Sequence, residues 1–261
     1  MKYEKYAERT KKMNPIDDDF FKKMTEDMSF CEETIQTILG DKSIKVIEVK
    51  AQKYVKNLQG RSVVLDAHCV SEEKGHINVE VQKADDDDHQ KRVRYNSACV
   101  TANITDTGVR FEKVPDVCSI YIIQRDFFKG KQPIYHVERR IRETGEVVDN
   151  GYREIYVNAQ IKDGSAVSEL MRIYTEDGTY DYVNFPATSK RKHYFKEEEK
   201  GVSEMCKIMQ EIKEEGIQEG IQAFIQAAKE WGHTYEAIKE KIMEKFKQSE
   251  EKADGWMKMY W

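Results

Sequence analysis

Residues 62–83 read SVVLDAHCVSEEKGHINVEVQK, and the fold turns on them. Ser62–Val70 is dense in β-branched residues, Glu73-Lys74-Gly75 is turn material, and residues 76–83 alternate with period two. This pattern predicts an antiparallel hairpin. Asp66 is out of place in the first strand, because a charge among residues that demand burial costs several kcal/mol unless it is paired or bound to metal. Across the turn, strand periodicity places Glu80 and Gln82 on one face and Val79 and Val81 on the other. Lys83 points to the face opposite Gln82.

The hairpin is expected to bring Asp66 beside Glu80 and Gln82. Two carboxylates, an amide oxygen and the Val81 carbonyl form an all-oxygen set suited to Mg2+, or to Mn2+. Such an ion lowers the pKa of a bound water and neutralises charge developing at a phosphate. The alternative is that Asp66 pairs with a basic side chain while Glu80 faces solvent.

On the N-terminal side, Asp17-Asp18-Asp19 opens one or two helices that Gly40-Asp41 ends, and Ile44–Tyr54 reads as a strand. On the C-terminal side, residues 85–103 read as a helix carrying Lys91, Arg92 and Arg94. The nearly all-apolar Val117–Gln124 reads as a central strand covered on both faces. Residues 134–141 and 153–159 flank GEVVDNG (145–151), a second hairpin. After Pro186 the chain is charged and helically spaced, with Val202, Met205, Met209 and Ile212 followed by Ile217, Ile221, Phe224 and Ala228. Further helices are expected at 234–247 and 249–260. The expected α/β layout is an α-β-β-β-α-β core, an added β-hairpin and a C-terminal helical region. Its divisions are a polar leader (1–16), the core with its hairpin (17–186) and the helices (187–261).

Of the 261 residues, 39% are hydrophobic and 35% charged, which suits a modest core under long solvated faces; the formal net charge is −5. Without a global basic field the chain is no non-specific DNA coat, although a metal and a local basic patch can still hold phosphate. No stretch is long and apolar enough to span a membrane, and residues 1–15 lack a signal-peptide core, so a cytoplasmic location is expected. Five scattered cysteines suit reduced thiols, and no Gly-rich phosphate loop supports nucleotide hydrolysis.

The stretches GRSVVLDAHCVSEEKGHINVEVQK (60–83) and KRVRYNSA (91–98) resemble the recombination-promoting nuclease and transposase (Rpn-type) family of the PD-(D/E)xK superfamily. So do DDDFFKKM (17–24), QPIYHVERRIRETGEVVDNG (132–151), IYVNA (155–159), YFKEEEKGVSEMCKIMQEI (194–212) and EGIQEGIQ (215–222). The resemblance implies a restriction-endonuclease-like core with a mixed four-stranded sheet flanked by helices. It also implies Mg2+-dependent hydrolysis of DNA phosphodiesters. Asp66 matches the motif aspartate, Glu80 the acidic member of (D/E)xK and Gln82 its third position, where the superfamily has lysine. Arg92 matches an arginine recurring three residues before a tyrosine, here Tyr95, and is placed to supply the charge Gln82 lacks. Lys91 and Arg94 are candidates for holding DNA phosphates, or are a solvated helix face. Asp18, with Phe21 and Lys22, matches the family's opening motif and either joins the site or caps its helix; Glu33 is a weaker candidate of the same kind.

Two readings follow: a Mg2+-dependent DNA endonuclease linked to recombination or mobile elements, or a catalytically inactive nuclease-fold module that binds DNA or oligomerises. Gly216 and Gly220, four apart on one helix, suggest close helix approach, by docking or in a homodimer. The run Asp85–Asp88 reads as acid at a helix start. His68 reads as a satisfied core histidine.

Overall fold

A computed structural model describes residues 4–57, 60–83 and 89–261; the expected acidic helix start at Asp85–Asp88 lies outside them. Helices α1 (Glu4–Lys12), α2 (Asp18–Met24) and α3 (Met28–Leu39) lead into the sheet. Asp27 starts α3 by accepting the Ser29 amide at 2.8 Å, and Gly40 ends it in a left-handed conformation at φ +65°. Strands β1 (Val46–Val55), β2 (Val63–Ser71) and β3 (Gly75–Gln82) follow, then helix α4 (His89–Ile104) and strand β4 (Val117–Ile123). Gly75 makes the β2–β3 turn at φ +67°, where a Cβ would stand 2.9 Å from the Asp116 carbonyl oxygen, so a larger residue is excluded twice over. Every residue of β4 is buried, as its apolar run requires.

The expected α-β-β-β-α-β order runs from α3 to β4. The expected four-stranded sheet with an added hairpin is corrected. β5 (Ile134–Val137) and β6 (Tyr152–Asn158) join the same sheet, whose described strands run β1-β2-β3-β4-β6-β5. The β1–β2, β2–β3 and β5–β6 pairs are antiparallel, while β4 lies parallel to both β3 and β6. β6 is paired on both edges, by β4 and β5, and its second half, Ile155 to Asn158, is buried as in an interior strand.

Residues 160–186 carry a helix that sequence reading missed, α5 (Ala166–Thr175), followed by α6 (Pro186–Glu197). Its signals were present: Ser165 caps it by accepting the Ser168 amide at 3.2 Å, and Leu170, Met171, Ile173 and Tyr174 form its buried face. Phe30 stacks on Tyr174 at 5.8 Å between ring centroids and meets Phe21 edge-on at 5.9 Å. Glu33, the weaker acidic candidate, is committed to the fold. It is buried and accepts the amides of Ala187 at 3.0 Å and Thr188 at 2.7 Å, which caps α6. The stretch before Asp17 is also tied in, since the buried Lys196 amine donates to the carbonyls of Lys11 and Met13.

The chain divides into two compact units; the larger runs Glu8–Val202 and so includes α6. The other contains Ser203–Trp261, with most of α7 (Glu199–Glu230), then α8 (Tyr235–Phe246) and α9 (Glu250–Tyr260). Its core joins Ile221, Ile225 and Ala228 to Ile238, Ile242, Ala253 and Met257. A Cβ added at Gly220 would meet the Phe246 ring at 3.5 Å, whereas one at Gly216 would meet nothing within 4 Å. Gly216→Ala is therefore expected to stabilise the protein by up to about 1 kcal/mol in urea unfolding. A loss of stability would instead show that another helix packs on Gly216, as the homodimer reading requires.

Candidate metal centre

The β2–β3 ladder pairs Ser71 with Gly75 and continues to Ala67 opposite Val79, then stops one residue short of Asp66. At that point the Val81 amide donates to Asp66 Oδ2 at 3.2 Å instead of joining the ladder. The N–H and C=O of one strand residue point to the same edge, so the Val81 carbonyl is on the Asp66 side as well. From β1, Gln52 lies between the pairs Ala51–Ala67 and Lys53–Leu65 and donates Nε2 to Asp66 Oδ1 at 3.4 Å. Gln52 holds φ +50°, a left-handed conformation costing a non-glycine residue about 1–3 kcal/mol, of the kind that concentrates at functional sites. Nothing in the sequence around Gln52 marks it.

Glu80 is 6% exposed and accepts from Asn96 Nδ2 of α4 at 3.2 Å. Its burial, then the charge of Asp66, raises its pKa to about 8, against the opposing pull of Arg92 and Asn96. Asp66 keeps part of its surface in solvent, but burial of the carboxyl and the charge of Asp18 lift it to about 6. The Val81 amide, Gln52 and Lys22 pull the other way. Asp18 thus reaches the site electrostatically from α2, with Lys22 Nζ bound to its carboxylate at 2.8 Å. For Lys22, burial lowers the pKa, but Asp18 and Asp19 outweigh it and leave the amine above its ordinary value.

The Gln82 side-chain oxygen accepts from Arg92 Nη1 at 3.5 Å and from the Tyr121 hydroxyl at 3.4 Å. Arg92 therefore stands beside the position that lacks the motif lysine. Lys83 points elsewhere, to Asp17 at 2.5 Å. Tyr95 does not join the carboxylates: its hydroxyl donates to the Arg61 carbonyl at 2.5 Å and accepts from Asn57 Nδ2 at 2.9 Å, which fixes the approach to β2. Lys91 and Arg94 are exposed and line a cavity between α4 and the β5–β6 hairpin. His68 is buried and bonded to Asn78 Oδ1 at 2.6 Å and His76 Nδ1 at 3.1 Å, and burial lowers its pKa to about 4.

Among the described residues, no group of three or more His, Cys, Asp or Glu side chains is gathered in metal-binding geometry. The candidate donors are the Asp66 and Glu80 carboxylates, with the Val81 carbonyl on the Asp66 side and the Gln82 oxygen facing Arg92 and Tyr121. This suits Mg2+, which takes one or two carboxylates and fills its shell with water and substrate phosphate. The electrostatics also fit, because Asp66 and Glu80 repel each other until a cation separates them.

A family model described as PD-(D/E)XK nuclease family transposase matches residues 21–215. The chain belongs to that family. Asp66, Glu80, Gln82 and Arg92 all fall within the matched span, while Asp18 lies just before it. No curated protein and no solved structure matches the chain. Membership in the family implies a nuclease and a mobile-element role; among the described residues no helix is long and apolar enough to cross a membrane.

Proposed function

We propose that the protein is a Mg2+-dependent DNA endonuclease, with Mn2+ as an alternative ion, that hydrolyses phosphodiesters at the Asp66–Glu80 pair. The observation carrying this reading is two mutually repelling carboxylates, one of them buried, at the point where β2 parts from β3. Asp66, Glu80, the Val81 carbonyl and the Gln82 oxygen would hold the ion. When bound, it supplies an acidified water and neutralises charge on the scissile phosphate. The Val81 amide and Gln52 orient Asp66, and Asn96 orients Glu80. Gln82 positions a water through its amide, and Arg92 meets the phosphate with the positive charge Gln82 lacks.

The direct test is plasmid cleavage with Mg2+, Mn2+ or EDTA. Cleavage is expected with either ion, but neither in EDTA nor by Asp66→Ala or Glu80→Ala. Equal cutting by wild type and variants removes the site assignment. A second reading, an inactive nuclease fold that binds DNA, is favoured by the missing charge at Gln82; wild type that binds DNA but never cuts it would establish that reading.

Arg92→Ala is expected to slow cleavage about 10²–10³-fold, the scale of losing one preorganised group from a charge-stabilising site. Arg92→Lys is expected to recover part of the rate, because charge returns without the two-pronged geometry. A rate unchanged by Arg92→Ala would show that the phosphate charge is met elsewhere.

A further inference from the structure

Asn78 lies on β3 two residues before Glu80, on the same face of the strand. It is 2% exposed, and its Oδ1 faces His68 Nδ1 at 2.6 Å. That bond places a proton on His68 Nδ1, so His68 Nε2 accepts from His76 Nδ1 at 3.1 Å. The other end of the Asn78 carboxamide, Nδ2, is buried and has no hydrogen-bond partner among the described residues. Turning the amide over would put Oδ1 in the same place, so one polar atom is stranded either way. Buried polar atoms are rarely left so, because losing water without a replacement partner is costly.

A cavity of about 10 Å3 lies against Asn78 and Glu80, between β3, β4 and α4. Asn96 of α4 and Ser119 and Tyr121 of β4 add the rest of its polar wall. One water needs about this much space and two to four polar partners. We propose that a single buried water sits there and joins Asn78 Nδ2 to the Glu80 carboxyl, which makes Asn78 a positioning residue for Glu80.

The donors and acceptors match. Asn78 Nδ2 can only donate, so it takes the water's oxygen and leaves two protons to be given. The Glu80 carboxyl accepts one. Ser119 Oγ is free to accept the other: Ser97 Oγ gives its own proton to the Val93 carbonyl at 2.7 Å and so accepts from Ser119 Oγ at 2.9 Å. The volume is too small for a phosphate or an organic group, and the Asn78 amide protons would oppose a metal ion. Glu80 is then held from behind by two amides, Asn96 directly at 3.2 Å and Asn78 through the water. Its remaining lone pairs stay available to the cation. Partners of this kind fix the direction of a ligand, and losing one typically weakens metal binding about 10–100-fold.

The consequence for the ion rests on the nuclease reading, but the water can be seen without cleavage. A crystal structure of the metal-free wild type is expected to show one ordered water within about 3.2 Å of both Asn78 Nδ2 and a Glu80 carboxyl oxygen. In calorimetric titration with Mn2+ alone, Asn78→Leu, similar in size but unable to hold the water, is expected to bind at least about 10-fold more weakly. Asn78→Ser is polar and shorter, leaves room for a second water, and is expected to recover most of that affinity. Matching urea unfolding curves in EDTA would show that both variants are folded. An empty cavity in the wild-type crystals overturns the proposal, even if the Leu variant fails to fold. So does a folded Asn78→Leu that binds Mn2+ as tightly as wild type. Wild type that holds the water but binds no Mn2+ removes the nuclease reading alone. The Glu80 side chain in Asn78→Leu crystals then decides, displaced if Asn78 positions it and unmoved if the proposal is wrong.

Discussion

Glu80→Gln and Asp66→Asn are each expected to reduce metal-dependent cleavage by 10²-fold or more while making the metal-free protein more stable at pH 8, by about 3 kcal/mol for Glu80→Gln. The loss follows from removing a charged ligand. The gain follows from linkage. In the unfolded chain these carboxyls titrate near about 3.9 for Asp and 4.3 for Glu, whereas in the fold Asp66 titrates at about 6 and Glu80 at about 8. Between the two sets of values the unfolded state has already released protons that the folded state retains, so the pair's contribution to stability falls as pH rises from about 4 to 8. His68, held at about 4 by burial, contributes in the opposite direction below about 6.5. A tenfold difference in proton affinity between the folded and unfolded states is worth about 1.4 kcal/mol. The gain expected for Glu80→Gln is smaller than its own difference alone would give, because the two acids titrate as a pair.

The carboxamides cannot ionise, so both variants should flatten this pH dependence, Glu80→Gln the more. Saturating Mg2+ should restore wild-type stability, more at pH 8 than at pH 6 where protons compete for the site, and should do little for the variants. Urea unfolding at pH 5.5 and 8, in EDTA and in Mg2+, measures all of this. A wild-type pH dependence across that range no steeper than that of Glu80→Gln would mean that the two carboxyls do not share one site.

The same pair explains what was legible in the sequence. Asp66 stood out because it breaks an apolar run, and Glu80 because alternation fixed its face; both signals are local. The hairpin was legible for the same reason. Gln52 was not, because its left-handed backbone and its bond to Asp66 arise from the pairing of β1 with β2, which no property of the segment around it encodes. The place of β6 was hidden likewise: DNG marked a turn, but a turn does not say whether the returning strand also lies beside β4. Glu33 looked like a possible ligand because it is an acid on an early helix, and its partners, the amides of Ala187 and Thr188, come from more than 150 residues away. Helix α5 differs, since its serine cap and apolar stripe were readable and went unread.

Lys192→Ala is expected to destabilise the larger unit by about 3–4 kcal/mol, although its segment, SKRKHYFKEEEK (189–200), reads as a solvated charged helix. Lys192 is fully buried, and its amine donates to the carbonyls of Ile173 at 2.8 Å, Glu176 at 2.5 Å and Thr179 at 3.4 Å. These oxygens close the last turn of α5 and the bend after it, where a helix leaves carbonyls without partners and carries partial negative charge. Burial, then the charge of Lys196, lowers the amine's pKa to about 8, against the pull of Asp177 and Glu176, so the cation is held at a cost that the carbonyls offset. Removing it strands those acceptors at about 1–3 kcal/mol each where water cannot replace the amine, and leaves a cavity as well. Lys192→Met separates the two contributions, because it refills most of the volume and still strands the carbonyls; about half the loss should remain in urea unfolding. A Met variant as stable as wild type would show that water reaches the end of α5. The effect should extend to function, since α6 also carries Arg191, which bonds the Lys23 carbonyl of α2 at 2.8 Å, and α2 holds Asp18 against the candidate metal centre.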